Sequence, residues 1–303
     1  MTSRLLRYLA PLSRHDEAQR LFHGRGRQYT GLEHVTIDWL PPVALITLFK
    51  PEPSSEMNSL ALGLREFLPE CSSIQVQHRY HKHGPVDLIW GADISQWDVV
   101  EAGLTFRVTL GQARNTGLFL DMRVGRQWVR NHSGDKRVLN LFAYTCGFSV
   151  AAVAGGARSV VNVDLSGPAL SVGRENHRLN GGEVLPGVSF EKLDIFKSFG
   201  RLKRRGPFDL LICDPPTFQK GSVDIAKDYP KVMRRLDQLM APGGCLLLCL
   251  NAIDLGPEFL IAQMSQLAPQ YILTESLSSP PEFVEAPGCG LKILVFEEKT
   301  QGR

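Results

Sequence analysis

The chain has 303 residues, 43% of them apolar and 21% charged, with a net charge of +3. That length suits one large or two modest domains with an ample buried core, and the composition is that of an ordinary globular protein. No apolar run approaches the ~20 residues of a membrane span and residues 1–30 lack a signal-peptide core, which excludes membrane-spanning and leader-directed readings; the mild positive charge permits a nucleic-acid partner without demanding one.

The first 34 residues open with MTSRLLRYLAPLSRHDEAQRLFHGRGRQ, an Arg-rich stretch that predicts a basic surface helix rather than a transit peptide. From 35 to 112 the pattern is strand, strand, helix, strand, strand. VTIDWL and VALITLF flank a Pro-Pro turn, MNSLALGLREFL has helical period, and SIQVQHRY and VDLIWG are strand-like, with LTFRVTL adding an alternating run near 104–110. This predicts a small α+β domain.

From about 137 apolar strands alternate with helices. VLNLF, SVVNVD, VSFEKLD, FDLLICD and CLLLCLN are the strands. FSVAAVAGG, PALSVGRENHRL, IFKSFGRL and DIAKDYPKVMRRLDQLM are the helices. Such alternation means βαβ units and a parallel sheet covered on both faces. YILTESL and LKILVFEE close the chain without a clear helix between them and predict an antiparallel edge pair. The expected fold is a doubly wound, Rossmann-like α/β domain over 113–303, its seven-stranded sheet mostly parallel. The six cysteines (71, 146, 213, 245, 249, 289) show no CxxC and no zinc spacing, which predicts reduced, buried thiols in a cytosolic protein and no metal site.

In open α/β sheets ligands bind beyond the carboxyl ends of the strands. Three successive strands run into an aspartate there: Asp164, Asp194 and Asp214. Asp164 stands about 24 residues past the first strand, the place for a carboxylate that accepts from a ribose diol; capping of the next helix is the alternative, although Ser166 and Pro168 would serve that role. The first loop, NLFAYTCGFS, has only Gly147, too few glycines for a pyrophosphate, and suits a nucleoside without phosphates. After the fourth strand, FDLLICDPPTFQKG places two prolines where the strand must stop. The result is a rigid turn that displays Asp214 and Phe218.

LNLFAYTCGFS, VVNVDLS, KLDIF and FDLLICDPPTF together resemble class I S-adenosylmethionine-dependent methyltransferases, and within them the bacterial large-subunit ribosomal RNA methyltransferases I and K/L. TGLFLDMR at 116–123 is similar to a signature of that group, and the small α+β domain resembles its substrate-facing domain. The resemblance implies S-adenosylmethionine as cofactor. Thr116, Asp121 and Arg123 would close over it, and Asn140, Phe142, Ala143, Tyr144 and Gly147 would cradle its methionine part. Asp164 with Leu165 and Ser166 would hold the ribose, Asp194 with Ile195 the adenine, and Asp214 would border both cofactor and target. Cys146 stands where the family more often has a small residue.

The atom methylated divides two mechanisms. Carbon-5 of cytosine needs a cysteine thiolate to add to the ring, and in the carbon-5 enzymes, methyltransferase I among them, that cysteine follows the fifth strand. Here CLLLCLNAID places Asn251 at that position, with Cys249 one pleat deeper in an apolar setting that would keep it protonated. Ring nitrogens need only alignment. The DPPTF spelling resembles the K type, which the family assigns to guanine N7. Asp214 and the Pro215 carbonyl would then meet an amino edge while Phe218 stacks on the extruded base.

Basic residues cluster at Arg20, His23, Arg25 and Arg27, at His78 through His83, and at Arg201, Lys203, Arg204 and Arg205. Tyr80, Trp90 and Trp97 offer stacking faces, and Lys220 and Lys227 flank the DPPTF loop. The expected function is RNA methylation, with ribosomal RNA as partner, no membrane, a cytoplasmic location, and either a monomer or a homodimer. A non-catalytic RNA-binding factor that keeps the pocket, and a methyltransferase acting on small molecules or protein, are the alternatives.

Overall fold

The computed structural model describes residues 1–12, 16–216, 218–219, 223–252, 255–286, 288 and 290–299; at 218, 219 and 223 only the backbone is described. The chain forms two compact units. One holds Met1–Asp121 with Pro280–Pro287, the other Met122–Ser279 with Gly288–Arg303.

The first unit is a five-stranded sheet in the order β1 (Gln19–His23), β2 (Val35–Leu40), β3 (Val43–Leu48), β4 (Ser73–His78), β5 (Val86–Gly91). Only β3 and β4 are parallel, as they must be when a helix, α2 (Ser54–Phe67), links them. The sheet thus gains a strand, β1, and the unit a helix, α1 (Thr2–Leu9), from inside the basic first 34 residues. Leu5 and Leu9 bury one stripe of α1 in the same core as Trp39, Ile46 and Leu60, so that helix is amphipathic and docked. A separate hairpin, β6 (Gln96–Glu101) and β7 (Leu104–Thr109), turns at Ala102–Gly103, both with positive φ, and the Glu17 carboxylate accepts both amides of that turn at 2.8 and 3.0 Å. The 280–287 segment joins this unit through Gly26. A Cβ there would lie 1.8 Å from the Val284 carbonyl oxygen, and the Gly26 carbonyl accepts the Ala286 amide at 2.8 Å.

The second unit begins with α3 (Arg123–His132). Its strands are β8 (Arg137–Leu141), β9 (Ser159–Asp164), β10 (Val188–Lys192), β11 (Phe208–Cys213), β14 (Met240–Leu250), β15 (Tyr271–Leu277) and β16 (Lys292–Glu298), in the sheet order β10-β9-β8-β11-β14-β16-β15. The first five are parallel and the β16–β15 edge is antiparallel. Between them lie α4 (Gly147–Ala154), α5 (Gly167–Gly181), α6 (Phe199–Arg205), α7 (Ile225–Met233), α8 (Leu236–Leu239) and α9 (Pro257–Leu267). A two-residue pairing of β12 (Phe218–Gln219) with β13 (Val223–Asp224) precedes α7.

Alternation sorts the sheet residues onto two cores. Leu139, Leu141, Leu211, Cys213, Leu246 and Leu248 face α6–α9; Val138, Ile212, Cys245, Leu247 and Cys249 face α3 and α4 with Trp128 and Phe148. The long run DIAKDYPKVMRRLDQLM is two helices rather than one. It breaks at Arg234–Arg235, where Leu236 and Leu239 turn into the core ahead of β14. Among the described residues, no helix is long and apolar enough to cross a membrane, and no group of His, Cys, Asp and Glu could hold a metal ion.

Candidate active site

Strand order reverses between β8 and β11: from β8 the chain steps outward to β9 and β10, then returns to β11 on the other side. The crossovers on either side of that reversal leave a crevice beyond the carboxyl ends of β8 and β11. The strand-end candidates all lie at this end of the sheet: the 142–147 loop after β8, Asp164 after β9, Asp214 after β11 and, farther out, Asp194 after β10.

The 142–147 loop has an unusual backbone. Phe142, Tyr144 and Cys146 take φ of 57°, 47° and 62°, left-handed values at three non-glycine residues. Each costs ~1–3 kcal/mol and must be held by its surroundings. Four contacts hold the loop. The Ala143 amide donates to the Val163 carbonyl at 3.0 Å. The Tyr144 amide donates to Asp164 Oδ2 at 2.8 Å, Asn176 Nδ2 donates to the Thr145 carbonyl at 2.9 Å, and the Cys146 amide donates to the Ala143 carbonyl at 2.7 Å. Cys146 is fully buried against Gly173 of α5, where a Cβ would come within 2.4 Å of its Sγ. Burial pushes its thiol well above the usual range. The larger residue at 146 is therefore matched by a missing side chain at 173, and the thiol is packing rather than chemistry.

Asp164 holds a second amide: Ser166 N donates to Oδ1 at 2.7 Å. The helix cap is Ser166 itself, whose hydroxyl accepts the Ala169 amide at 3.2 Å with Pro168 in the first turn. Each Asp164 oxygen keeps a further lone pair for a diol. Leu165 is half exposed beside it. Asp194 likewise accepts the Phe196 amide at 3.0 Å and pairs with Lys197 at 3.4 Å; Ile195 is buried and Phe196 lies partly buried near Phe142, ring centroids 6.1 Å apart. A carboxylate for a diol, flat apolar faces and a loop with a single glycine fit a nucleoside cofactor.

Asn140 is buried two residues before the loop and starts a side-chain relay. Asn140 Nδ2 donates to Asn162 Oδ1 and Asn162 Nδ2 to Ser149 Oγ, both at 2.9 Å, with Ser149 Oγ 2.9 Å from His177 Nε2. With Asn162 donating to it, the serine keeps its own proton free to donate to His177 Nε2 in the neutral tautomer that leaves that nitrogen bare. Burial draws His177 down to about 4, which keeps it neutral in that role. Thr116 and Asp121 belong to the first unit, where the Thr116 carbonyl accepts the Thr109 amide at 2.9 Å; Arg123 opens α3 in the second.

At the other lip, Asp214 is half-buried, Pro215 buried and Pro216 exposed. Beneath them Tyr229, missed by sequence reasoning because it reads as one more core aromatic of α7, lies fully buried with its hydroxyl 2.9 Å from the Cys213 carbonyl oxygen and 2.6 Å from that of Cys249. It ties the ends of β11 and β14 directly under the Asp-Pro-Pro turn. Thr217, Lys220 and the Phe218 side chain lie outside the described residues. Cys249 is buried on the α3–α4 side of the sheet and Asn251 is exposed just past the strand end. Cys213 is buried and raised well above the ordinary thiol range by desolvation. All five described cysteines are buried thiols outside any disulfide; Cys289 lies outside the described residues.

The three basic clusters differ. Arg20 is paired with Asp38, and His23 approaches Glu285 at 3.4 Å. The Arg25 guanidinium covers the Phe49 ring, so most of the first cluster is structural. Arg201 is paired with Glu191, and Arg205 donates to Ser189 Oγ at 2.7 Å, leaving Lys203 and Arg204 exposed. Tyr80 through His83 are exposed, with the Tyr80 hydroxyl 2.8 Å from His78 Nδ1. Trp90 lies under the Arg65 guanidinium, which covers one of its faces, and half-buried Trp97 donates its indole N–H to the Leu40 carbonyl at 3.0 Å.

A family model described as S-adenosylmethionine-dependent methyltransferase matches residues 19–297. The ribosomal RNA large subunit methyltransferase I of Aeromonas salmonicida is 33% identical over 227 residues, 72% of this chain and 57% of that protein. This chain therefore spans less than two thirds of that relative's length. The solved structure of SMU.776 complexed with SAH shares the fold at a TM-score of 0.86 and 22% identity, covering 98% of this chain and 81% of the other. The SAM dependent methyltransferase from Agrobacterium tumefaciens does so at 0.71 and 20%, covering 95% and 92%. The strand-end carboxylates, the left-handed loop and the matched 19–297 region agree: this chain belongs to the S-adenosylmethionine-dependent methyltransferase family, with S-adenosylmethionine as its cofactor.

Proposed function

We propose that this chain methylates a base nitrogen of RNA, that RNA being ribosomal and guanine N7 the favoured atom. The RNA substrate rests on the name of the relative, a ribosomal RNA large subunit methyltransferase I, and a cytoplasmic location goes with that reading. The nitrogen target rests on one observation: β14 ends in Asn251, while Cys249, the nearest thiol on that strand, is buried in the core facing α3 and α4.

Bound S-adenosylmethionine supplies an electrophilic methyl on a sulfonium sulfur. The chain's own work is positional. The 142–147 loop and Asp164 would fix the cofactor, with Asp194 and Ile195 at its adenine end and Arg123 near the entrance. Asp214 and the Pro215 carbonyl would accept hydrogen bonds from the amino edge of the base, with Phe218 stacked on its face. A guanine N7 carries its own lone pair and loses no proton on methylation, so no general base is required. Tyr229 holds the turn that carries Asp214.

Mass spectrometry of nucleosides from large-subunit ribosomal RNA of a deletion strain tests this reading. Loss of one 7-methylguanosine is expected, and an unchanged nucleoside set would refute it. The rival is cytosine carbon-5 chemistry through Cys249, which draws on the likeness to methyltransferase I. The buried thiol predicts that Cys249→Ser keeps its methyl-transfer rate within about twofold; a loss of all turnover with intact cofactor binding would favour the rival.

A further inference from the structure

Charge is unevenly spread along the chain. Residues 195–239 hold ten Lys and Arg against five Asp and no Glu, a net +5, while the whole chain carries +3. The other 258 residues therefore sum to −2. The fold gathers this excess on one face. α6 leads into β11 and α7–α8 lead away from it, and all three bury residues in the same core through Leu202, Val232 and Leu236. α6 and α8 are in contact, and the Arg235 guanidinium lies 5.8 Å above the ring of Phe199, which opens α6. Lys203 stands one turn beyond Phe199, on the same side of that helix.

Pairing does not cancel the excess. Acidic partners take up Lys197, Arg201, Lys227 and Lys231, and Arg205 leans toward Glu191. Lys203, Arg204, Arg234 and Arg235 are exposed and, among the described residues, none of them has an acidic partner within 4 Å. Along α7 and its end, Lys227, Lys231 and Arg234–Arg235 recur at helical i, i+4 spacing, a row running from the Asp-Pro-Pro end of β11 down the side of the sheet. Four exposed cations without carboxylates repel one another unless an anion lies across them. They cluster where α6 runs into β11 and α7–α8 into β14, at the amino ends of those strands, and the paired Lys227 and Lys231 lie between them and the reaction end. A basic strip of that extent suits a polymer of phosphates, to which arginine can bond with two parallel donors.

We propose that the α6–α7–α8 face is the track on which the RNA backbone lies while the target base occupies the crevice. The contact is to phosphates, independent of base sequence, and centred on Lys203, Arg204, Arg234 and Arg235. It rests on the reading of RNA as substrate and adds where that RNA runs.

The test is binding of deproteinised large-subunit ribosomal RNA to the full chain across a salt series, wild type against the variant with Lys203→Gln, Arg204→Gln, Arg234→Gln and Arg235→Gln. A second variant that keeps Arg235, which stacks on Phe199, guards against misfolding, and S-adenosylmethionine affinity and melting temperature serve as folding checks. At ~0.7 counterions released per contact on single-stranded RNA, the slope of log affinity against log salt should fall by roughly 3, with affinity at least tenfold lower near physiological salt and cofactor affinity unchanged. An unchanged slope would overturn the track. So would wild-type methylation of that RNA equalled by the variant at every RNA concentration, and in that case the RNA reading stands. Polyglutamate displacing RNA at equal charge would reassign the face to an acidic protein. A wild-type chain that neither binds nor methylates the RNA would overturn both readings.

Discussion

Asp164 is the residue on which the most local geometry converges. Its two oxygens receive the Tyr144 and Ser166 amides, so one carboxylate fixes both the left-handed loop after β8 and the turn into α5. Asparagine has one acceptor oxygen and would leave one of those amides facing an NH2 group. Losing one charge-assisted hydrogen bond and opposing two donors costs about 2–3 kcal/mol. That loss lowers the melting temperature by about 4–12 °C, and the weakened bond to the ribose diol, about 1.5–3 kcal/mol, is expected to lower S-adenosylmethionine affinity of Asp164→Asn by roughly 10- to 150-fold in calorimetry. Wild-type affinity in that variant would remove Asp164 from the site. The strand-end position of this carboxylate was legible in the sequence, because an aspartate at that spacing is visible as a pattern. It did not show the left-handed loop, since Phe, Tyr and Cys carry no preference for that conformation. Nor did alternation reveal that Asn140 lies in the buried relay, because a polar residue in an apolar strand looks the same whether it meets a ligand or another amide.

At the scale of elements, α5 is the part that the pattern under-read. Its sequence showed helical period and a capped start. The structure adds that Gly173, Asn176 and His177 lie against the cofactor loop and α4, through Cys146, the Thr145 carbonyl and Ser149. His177 makes this lock pH-sensitive. Its folded value of about 4 lies below the ordinary 6.5. Above pH 6.5 it is neutral in both folded and unfolded chains and exerts no pull. As pH falls from 6.5 toward 4 the unfolded chain takes up a proton that the folded one refuses, and stability declines, by on the order of 3 kcal/mol in all. Denaturant unfolding between pH 7 and 4 should show this slope in the wild type and lose most of it in His177→Gln, whose amide oxygen can still accept from Ser149. Equal slopes would assign the acid sensitivity to other groups. The break between α7 and α8 was illegible for a different reason: Arg234 and Arg235 are good helix formers, and only the need to bring β14 back into the sheet ends the helix there.

For the molecule as a whole, the alternation of apolar strands and helices was enough to predict a parallel sheet with an antiparallel edge, because such a sheet is buried on both faces and its strands are continuous apolar runs. The small sheet unit was legible as strand–strand–helix–strand–strand. The basic helix expected in the first 34 residues is there as α1, with one stripe buried; the added β1 was not legible, because its Arg20 spends its charge on Asp38 rather than on solvent. The same fact redistributes the expected nucleic-acid contacts. Basic residues close in sequence are structural near the N-terminus, whereas α6 and α7–α8, separated in sequence by a whole strand, share one cationic face. The measurement that bears most directly on the central claim is methyl transfer by the purified chain from labelled S-adenosylmethionine to large-subunit ribosomal RNA of the deletion strain, followed by nucleoside digestion. The account predicts label in a single nucleoside, 7-methylguanosine. Label in 5-methylcytidine, or none in RNA, would contradict it.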